Sequence, residues 1–496
     1  MTIGRSHPYA MPISSSLVKQ ETNGSQNQSI KNLNTNRIAN IKSEFRERVL
    51  QFCYNELVSL QSITSDSFKA LVQTLIKLCT TVGKCTISLP DVNQLSAQMT
   101  GQYNQTKHRI KEDLNSALTR NIGGALVCDS ENDLCVISAY YINSNWNLVE
   151  SILSATANGS DINSFITETL DDFGLQEDNK LAKFTFVSRG GLFDGVSMCL
   201  TSMAHVIDGV IESAIFGDDT YTEIVENCRV ICNELRLDIE DFPIDWVNKF
   251  EVMRNVIENR HKFELKNSSL DLDLVKFLVE FLVPFKAASV ELRQCSRHPT
   301  LNHVLLWYYK LMKHLNPASD DNSLASGLKS MIKIGMEENF QLQPFHKISA
   351  FLWPNFRFLK MLSNEEREEV HNEVRSLLDS RITEEDGLTD LKKSRSDFDE
   401  WEDATDTDQD EVNKYISVQL TTCNEQNILI WWREHQNDFP KLSHLAKWML
   451  SIPASVTSLE RFKLTSNQDV GPELLFMHCF VSVLRKSLFE FNCCLA

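Results

Sequence analysis

The feature that most constrains the fold is a change of pattern at residue 121. Before that point apolar residues recur at helical spacing, but from there to about residue 245 short β-forming runs alternate with turn residues. The apolar run Ala125 to Cys128 is followed by the turn sequence Ser-Glu-Asn-Asp at 130–133 and then by Leu134 to Ile142, which is rich in β-formers. This arrangement predicts a β-hairpin.

More strands and helices follow the hairpin. A third short strand is expected after Trp146, an amphipathic helix near 161–172, and a strand at Lys183 to Val187, where the sequence reads KFTFV. Two helical patterns then run to about residue 235. The resulting order β-β-β-α-β-α predicts an α/β fold with a mixed sheet, because hairpins pair antiparallel and a strand reached through a helix can pair parallel.

The flanks of this block have different compositions. The first 40 residues are rich in Ser, Asn and Gln, and they cannot bury enough apolar surface to offset the entropy of ordering. Every periodic segment from Trp246 to about residue 380 is helical, and so is the aromatic-rich end of the chain. We therefore expect six regions: a disordered tail at 1–40, a helical N-terminal domain at 41–120, the first part of the α/β core at 121–245, an all-α insertion at 246–380, an acidic loop at 381–412 and a C-terminal helical region at 413–496.

Charge limits the partners of the chain. It has 49 Lys and Arg against 67 Asp and Glu, a net charge of −18, which argues against a domain that coats nucleic acid with uniform positive charge. Residues 381–412 hold 13 acids and four bases, half of the net charge. We interpret this run as a solvated loop or frayed helix, with a basic partner as the alternative. The remainder is mildly acidic and compatible with a local basic groove.

Cysteine usage and hydropathy indicate the compartment. No stretch approaches the ~18 uncharged apolar residues of a membrane-spanning helix, and the N-terminus has no apolar signal core. The 13 cysteines are scattered without paired Cys-x-x-Cys motifs, which is typical of reduced, mostly buried thiols. We therefore expect a protein of the cytosol or nucleus with no membrane partner.

Three segments share residue types and spacing with one protein family. The most specific is Ile428 to Phe462, which has a double Trp, then Pro-x-Leu-Ser, Leu-Ser-Ile-Pro-Ala-Ser and Ser-x-Glu-Arg. The others are Ala125 to Trp146 and His346 to Leu362, which reads HKISAFLWPNFRFLKML. Together they resemble the hAT transposases, the superfamily of hobo, Activator and Hermes, and the first segment is similar to that family's C-terminal dimerisation signature.

The resemblance implies a fold and a reaction. Family members have a core similar to ribonuclease H, interrupted by an all-helical insertion before the last catalytic helix, and the predicted order of elements agrees with this. Regions 121–245 and 413–496 would then form one ribonuclease H-like core, with 246–380 as the insertion. The family's reaction is DNA cleavage and strand transfer by two Mg²⁺ ions, which need three converging carboxylates.

Two of the three carboxylates have counterparts here. Asp129 matches the acid at the end of the first strand, and Glu460 matches the acid of the Ser-x-Glu-Arg motif. Where the second acid is expected, just after the KFTFV strand, the sequence has Arg189, and a guanidinium cannot ligate Mg²⁺. The sequence thus favours a transposase-derived protein that has lost catalysis, needs no cofactor and keeps Asp129 and Glu460 as vestiges.

Alternatives stay open at these positions. Asp194 could replace the missing acid if its loop bends back, and the chain would then be an active transposase that uses Mg²⁺. Asp129 is alternatively a turn residue before Ser130. Arg189 either forms a salt bridge with Asp129 and Glu460 in place of the metal or lies on the surface.

Other features of the family are altered or ambiguous. Trp246 resembles a family Trp that stacks near a flipped base and could bind DNA, but Asp245 beside it favours a Trp packed at a helix start. Cys295, His298 and His303 have part of a zinc spacing without a fourth ligand nearby, so we expect no zinc. Residues 1–52 contain no cysteine, so the family's zinc-binding BED finger is not expected there.

The C-terminal block is unusually rich in aromatic residues. Aromatic side chains are enriched at the centres of protein interfaces, and the family uses this block both to complete its core and to dimerise. We expect both roles here, with a homodimer as the result. The residues concerned are Trp431, Trp432, Phe439, Pro440, Leu442, Leu445, Trp448, Ile452 and Pro453.

These observations lead to one functional expectation and two alternatives. We expect a catalytically inactive, transposase-derived dimer in the nucleus that associates with DNA or chromatin, with transcription regulation as the role that domesticated relatives suggest. The first alternative is an active DNA transposase with two metal ions. The second is a protein-interaction scaffold without DNA binding, which the acidic run and the net charge of −18 motivate.

Overall fold

The computed structural model describes most of the chain between residues 91 and 460. The described residues are 40–53, 63, 68–70, 72–73, 91–119, 123–131, 134–156, 162–189, 199–237, 244–262, 270–319, 321–382, 410–418 and 428–460. The predictions for the tail at 1–40 and for the acidic loop at 381–412 fall almost entirely outside this set.

The described elements alternate as the sequence indicates. The strands are β1 (Gly124–Glu131), β2 (Leu134–Ile142), β3 (Leu148–Thr156), β4 (Phe184–Ser188) and β5 (Cys199–Thr201). The helices are α1 (Val92–Thr119), α2 (Ile162–Asp172), α3 (Met203–Ile211), α4 (Asp219–Glu234), α5 (Asp245–Glu258), α6 (Leu272–Leu292), α7 (Leu301–His314), α8 (Ser323–Asn339), α9 (Pro344–Phe351), α10 (Asn364–Ile382), α11 (Glu411–Ser417), α12 (Ile428–His435) and α13 (Pro440–Ser451). Residues 40–53 are also helical.

The described strands form a mixed sheet in the order β3-β2-β1-β4-β5. β2 pairs antiparallel with both β1 and β3, whereas β4 pairs parallel with both β1 and β5. The predicted α/β class and mixed sheet are confirmed. The expected order lacked β5, because its three residues are too few to show a period-two pattern.

Alternate residues of β1 belong to two separate cores. Leu126 and Cys128 pack with residues of α1 and α2. Ala125 and Val127 belong to the larger core, which contains α3, the helices of 246–380 and the C-terminal block. Because side chains alternate along a strand, Asp129 points to this second side. The alternation of side chains along β1 therefore places the carboxylate of Asp129 on the side of the sheet that faces helices from much later in the chain.

Helix α6 ends close to the edge of the sheet at which Asp129 lies. Its N-cap residue is Asp271, whose carboxylate accepts the backbone N–H groups of Asp273 and Leu274 and so satisfies two orphan donors. It ends at Leu292 and continues as one helix through Pro284. The residue that follows its last turn is Arg293, which reaches the site described below.

The C-terminal region belongs to the same core as the sheet. Helix α13 packs on β1 and β2, and the segment after it is buried as far as Glu460. The N–H of Met203 donates to the carbonyl of Ala454 at 2.9 Å, and the N–H of Ala454 donates to Oγ1 of Thr300 at 2.9 Å. The end of the described chain is thus tied to both the α3 and the α7 ends of the core.

Contacts divide the chain into two units, residues 1–99 and 100–496. In the first unit the described residues Val49, Leu50, Cys53 and Ile63 form a small core of their own. Among all the helices that the structure describes, none combines the length and the apolar character that crossing a membrane requires.

Candidate functional site

Asp129 and Arg189 lie side by side because their strands are parallel neighbours. The register of β1 and β4 places Cys128 opposite Ser188, so the next residues along the two strands are Asp129 and Arg189. Functional groups of α/β sheets gather at the carboxyl ends of such parallel strands. Nε of Arg189 donates to Oδ1 of Asp129 at 2.7 Å.

Asp129 is fully buried, and both of its carboxylate oxygens accept hydrogen bonds. Oδ1 is bound by Arg189, and Oδ2 accepts the backbone N–H of Leu459 at 2.8 Å. Within the sheet Asp129 lies opposite Val136. The interpretation of Asp129 as a turn residue is therefore wrong, because β1 continues to Glu131. A buried carboxylate needs such partners, since an unpaired charge is costly in the interior.

Arg189 connects Asp129 to a second carboxylate. Its Nη1 donates to Oε2 of Glu131 at 2.7 Å. The side chains of Arg189 and Glu131 are 21% and 31% exposed, so this end of the cluster reaches solvent. Of the salt bridges considered for Arg189, the one with Asp129 is present, whereas Glu131 takes the place expected for Glu460.

Glu460 is held by a different arginine. Nε of Arg293 donates to Oε1 and Oε2 of Glu460 at 3.1 and 2.9 Å, and Nε2 of His205 lies 3.0 Å from Oε1. Burial alone would raise the pKa of Glu460, but the close contact with His205 and the charge and hydrogen bonds of Arg293 outweigh it and lower the pKa to about 2. Glu460 is therefore a charged, tightly bound carboxylate.

Asp208 on α3 is a further carboxylate of this cluster. Nη2 of Arg293 donates to its Oδ2, while its Oδ1 accepts the indole N–H of Trp246 and the hydroxyl of Ser289, each at 2.7 Å. Arg293, whose side chain is 8% exposed, thus joins Asp208 to Glu460. The arrangement ties α3 and α6 to the C-terminal segment.

Ser202, His205 and Glu460 lie next to one another in the order of a nucleophilic triad. Oγ of Ser202 lies 2.7 Å from Nδ1 of His205, whose Nε2 faces Glu460. Ser202 is 0% exposed, however, and its Oγ also accepts the backbone N–H of Val456 at 3.1 Å. Because a nucleophile must reach its substrate, we interpret these bonds as links between α3 and the C-terminal segment.

Trp246 lies in the first turn of α5 and is 0% exposed. Its indole N–H is bound to Asp208, as described above. A base could stack on this ring only if the ring left the core. Trp246 is therefore packed at the start of a helix, which is the alternative that the neighbouring Asp245 favoured.

The remaining metal expectations concern Asp194 and the partial zinc spacing. Asp194 lies outside the described residues. Sγ of Cys295 lies 3.5 Å from Oγ1 of Thr457, whereas Nδ1 of His303 lies 2.5 Å from Oε1 of Glu291. Within the described ranges, no group of three or more His, Cys, Asp or Glu residues is placed to hold a metal ion.

The aromatic residues of the C-terminal block lie inside their own chain. The exposed fractions of Trp431, Trp432, Phe439 and Trp448 are 5%, 0%, 1% and 4%. The indole N–H of Trp432 donates to the carbonyl of Leu352 at 2.9 Å. Of the other residues predicted for this interface, Leu442, Leu445, Ile452 and Pro453 are buried and Pro440 is exposed. The block therefore contributes to the core of its own chain.

Three residues of the cluster have no clear sequence signal. Asp208 follows His205 by three residues, a spacing that places both on one helix face and could have drawn attention to it. Glu131 belongs to the sequence that predicted a turn. Arg293 follows a long apolar helix, and its partner Glu460 lies far along the chain, so no local pattern connects them.

The fold and the site define an α/β protein with a buried ion-pair cluster at one sheet edge, closed by a C-terminal helical region. Residues 411–468 match a family model described as the hAT family C-terminal dimerisation region. The resemblance to the hAT superfamily is thus confirmed on this segment, which includes Glu460. The match also suggests that the chain associates with itself.

The relatives agree with a hAT-related origin. Zinc finger protein 618 of Mus musculus and zinc finger protein 618 of Homo sapiens are each 24% identical to this chain over 457 residues. The match covers 83% of this chain and 47% of each relative. The chain therefore spans about half the length of the curated relatives it matches.

Proposed function

We propose that this chain is a catalytically inactive, hAT transposase-derived protein that acts in the nucleus as a dimer on DNA or chromatin. The match at 411–468 supports the derivation. The core would be of the ribonuclease H type, because the strands follow the order that the resemblance implies and the C-terminal region returns to the sheet after a helical insertion.

Loss of catalysis is supported by the charges at the sheet edge. A two-metal site needs carboxylate oxygens that are free to ligate divalent cations about 3.5–4 Å apart. Both oxygens of Asp129 accept hydrogen bonds, one of them from Arg189. A guanidinium is a permanent cation that cannot ligate a metal. These residues do not fit a pair of Mg²⁺ ions, and we assign no step of a metal-dependent reaction to them.

The bond between Arg189 and Asp129 is the observation that carries this proposal. It places a cation on the first acid of the family pattern, at the position where the second acid is expected. Glu460, the third acid, is likewise bound through both oxygens by Arg293. Each remaining carboxylate thus has an arginine of the same chain as its counter-ion.

A cleavage assay tests the loss of catalysis. The full chain is incubated with supercoiled plasmid or a labelled duplex end in the presence of Mg²⁺ or Mn²⁺, and we expect no nicking above background. Asp129→Asn is the matched control, because it removes the charge and keeps the side-chain shape. Nicking by the natural sequence that Asp129→Asn abolishes would establish an active enzyme.

Association with DNA or chromatin rests on the hAT derivation and on the relatives. Both relatives are named zinc finger proteins, and zinc fingers are common DNA-reading modules. This chain would add a residual groove that contacts phosphates, and its affinity would then fall steeply with salt, because binding releases counter-ions.

A gel shift tests DNA association. We expect a retarded complex with duplex DNA at low salt, and we expect that complex to disappear as the salt concentration rises. If no duplex is bound even at low salt, the scaffold alternative replaces the DNA-bound one. The measurement is independent of the cleavage assay, so either part of the proposal can fail alone.

A further inference from the structure

The hAT dimerisation region has a side that faces the core and a side that faces solvent. On α12 the two tryptophans Trp431 and Trp432 point inward and are buried. Ile430, Arg433 and Glu434 on the same helix are exposed. Residues three and four apart are neighbours on a helix surface, so these three form one exposed face, which we call the Ile430 face.

Ile430 provides the apolar centre of this face. Its exposed fraction is 43%, whereas the aromatic and leucine residues predicted for the interface are buried in their own chain. In the described part of 411–468, Ile430 is the large hydrophobic residue with the greatest exposure. Interfaces need a desolvated centre of this kind, and residues that already fill the core cannot provide it.

The charges around Ile430 suit a second copy of the same chain. The whole chain carries a net charge of −18, so two copies repel each other over most of their surfaces. The exposed charges on the Ile430 face itself are Arg433 and Glu434. This base and this acid balance, so the Ile430 face adds no net repulsion between copies.

We propose that two copies of this chain associate through the Ile430 face. This inference rests on the self-association stated above and names its surface. A two-fold interface uses the same patch on both copies. Ile430 of each copy therefore packs on the opposite face, and Arg433 and Glu434 meet their counterparts with opposite charges.

Light scattering on a sizing column tests the surface. The full chain should elute as a species of twice its mass of 56.7 kDa. Ile430→Glu buries an unpaired charge in the interface, so we expect the dissociation constant of the dimer to rise roughly tenfold or more. Melting temperature, measured on the same samples, checks that the variant remains folded.

Ile334→Glu on α8 is the matched control. Ile334 is 55% exposed, and Met331 beside it is 47% exposed, so α8 offers a competing apolar surface. We expect Ile334→Glu to leave the mass unchanged. Arg433→Glu makes the Ile430 face acidic on both copies, so it should weaken the dimer, and added salt should partly restore it.

The outcomes separate the surface from the self-association. A natural chain that is monomeric at all concentrations would overturn self-association itself. A natural dimer that survives both Ile430→Glu and Arg433→Glu would overturn the Ile430 face alone. Dissociation by Ile334→Glu but not by Ile430→Glu would move the interface to α8.

Discussion

The carboxylate cluster has two parts that use the same chemistry at different depths. In the inner part Arg293 binds Asp208 and Glu460, and the three side chains are 8%, 14% and 9% exposed. In the outer part Arg189, which is 21% exposed, binds the fully buried Asp129 and Glu131, which is 31% exposed. Breaking a buried pair leaves an uncompensated charge in the interior, whereas an exposed pair adds little. Depth therefore decides what each arginine contributes to stability.

The largest effect is expected for Arg293→Gln, which leaves two buried carboxylates without their cation. We expect the free energy of unfolding to fall by about 3–5 kcal/mol, as measured by denaturant unfolding. Arg229→Gln is the control, because Arg229 is 49% exposed and forms an i,i+3 pair with Glu226, and it should cost less than about 1 kcal/mol. Equal losses in the two variants would remove the distinction between buried and exposed arginines.

Acid titration tests the inner part without removing its arginine. The pKa of Glu460 is lowered from 4.5 to about 2 in the folded chain, so its contribution is fully present above the unfolded pKa and is lost as the pH falls through the folded pKa. The loss should amount to about 3 kcal/mol. Glu460→Gln should remove this part of the pH dependence from the unfolding free energy. An unchanged slope in that variant would contradict the lowered pKa.

Arg189→Gln tests the outer part where it is most buried, at the ion pair between Arg189 and Asp129. Asp129 keeps the N–H of Leu459 but loses its charged partner, so we expect a loss of about 1–3 kcal/mol, smaller than for Arg293→Gln. Because Arg189 is partly exposed, water can solvate the site after the change. A loss as large as that of Arg293→Gln would show that the exposure of the arginine does not decide how much it contributes to stability.

The smallest effect is expected for Glu131→Gln. Glu131 is 31% exposed and its amide replacement can still accept from Arg189, so the change in unfolding free energy should lie within about 1 kcal/mol. Thermal unfolding of Glu131→Gln beside Arg189→Gln makes this comparison directly. A larger loss from Glu131→Gln would reverse the order within the outer part.

Most of the fold follows from local patterns, and the site follows from them only in part. The hairpin, the strand KFTFV and the helices of 246–380 were predictable because periodicity and turn residues act over a few residues. Strand β5 was not predicted because its three residues are too few to show an alternating pattern. Asp129 and Arg189 were identified because the hAT resemblance implies acids at the ends of these two strands, but the choice of Glu131 instead of Glu460 depends on distances that no local pattern contains.

The tryptophans show the same limit of what the sequence alone can predict. Their number in the C-terminal block indicated a large apolar surface, but burial in the chain's own core and burial against a partner have the same composition. The packed arrangement of Trp432 against the carbonyl of Leu352 decides in favour of the core. Trp246 is similar, because its bond to Asp208 depends on how α3 and α5 pack.

The order of residues determines the strands, the helices, the phase that turns Asp129 toward the larger core and the absence of an acid at position 189. Packing alone decides that Arg293, just after the last turn of α6, neutralises Glu460, and that Asp129 receives the backbone N–H of Leu459. The physical reason is range: backbone preferences act between near neighbours, whereas a buried charge is satisfied by whichever counter-ion the completed core brings within hydrogen-bond distance.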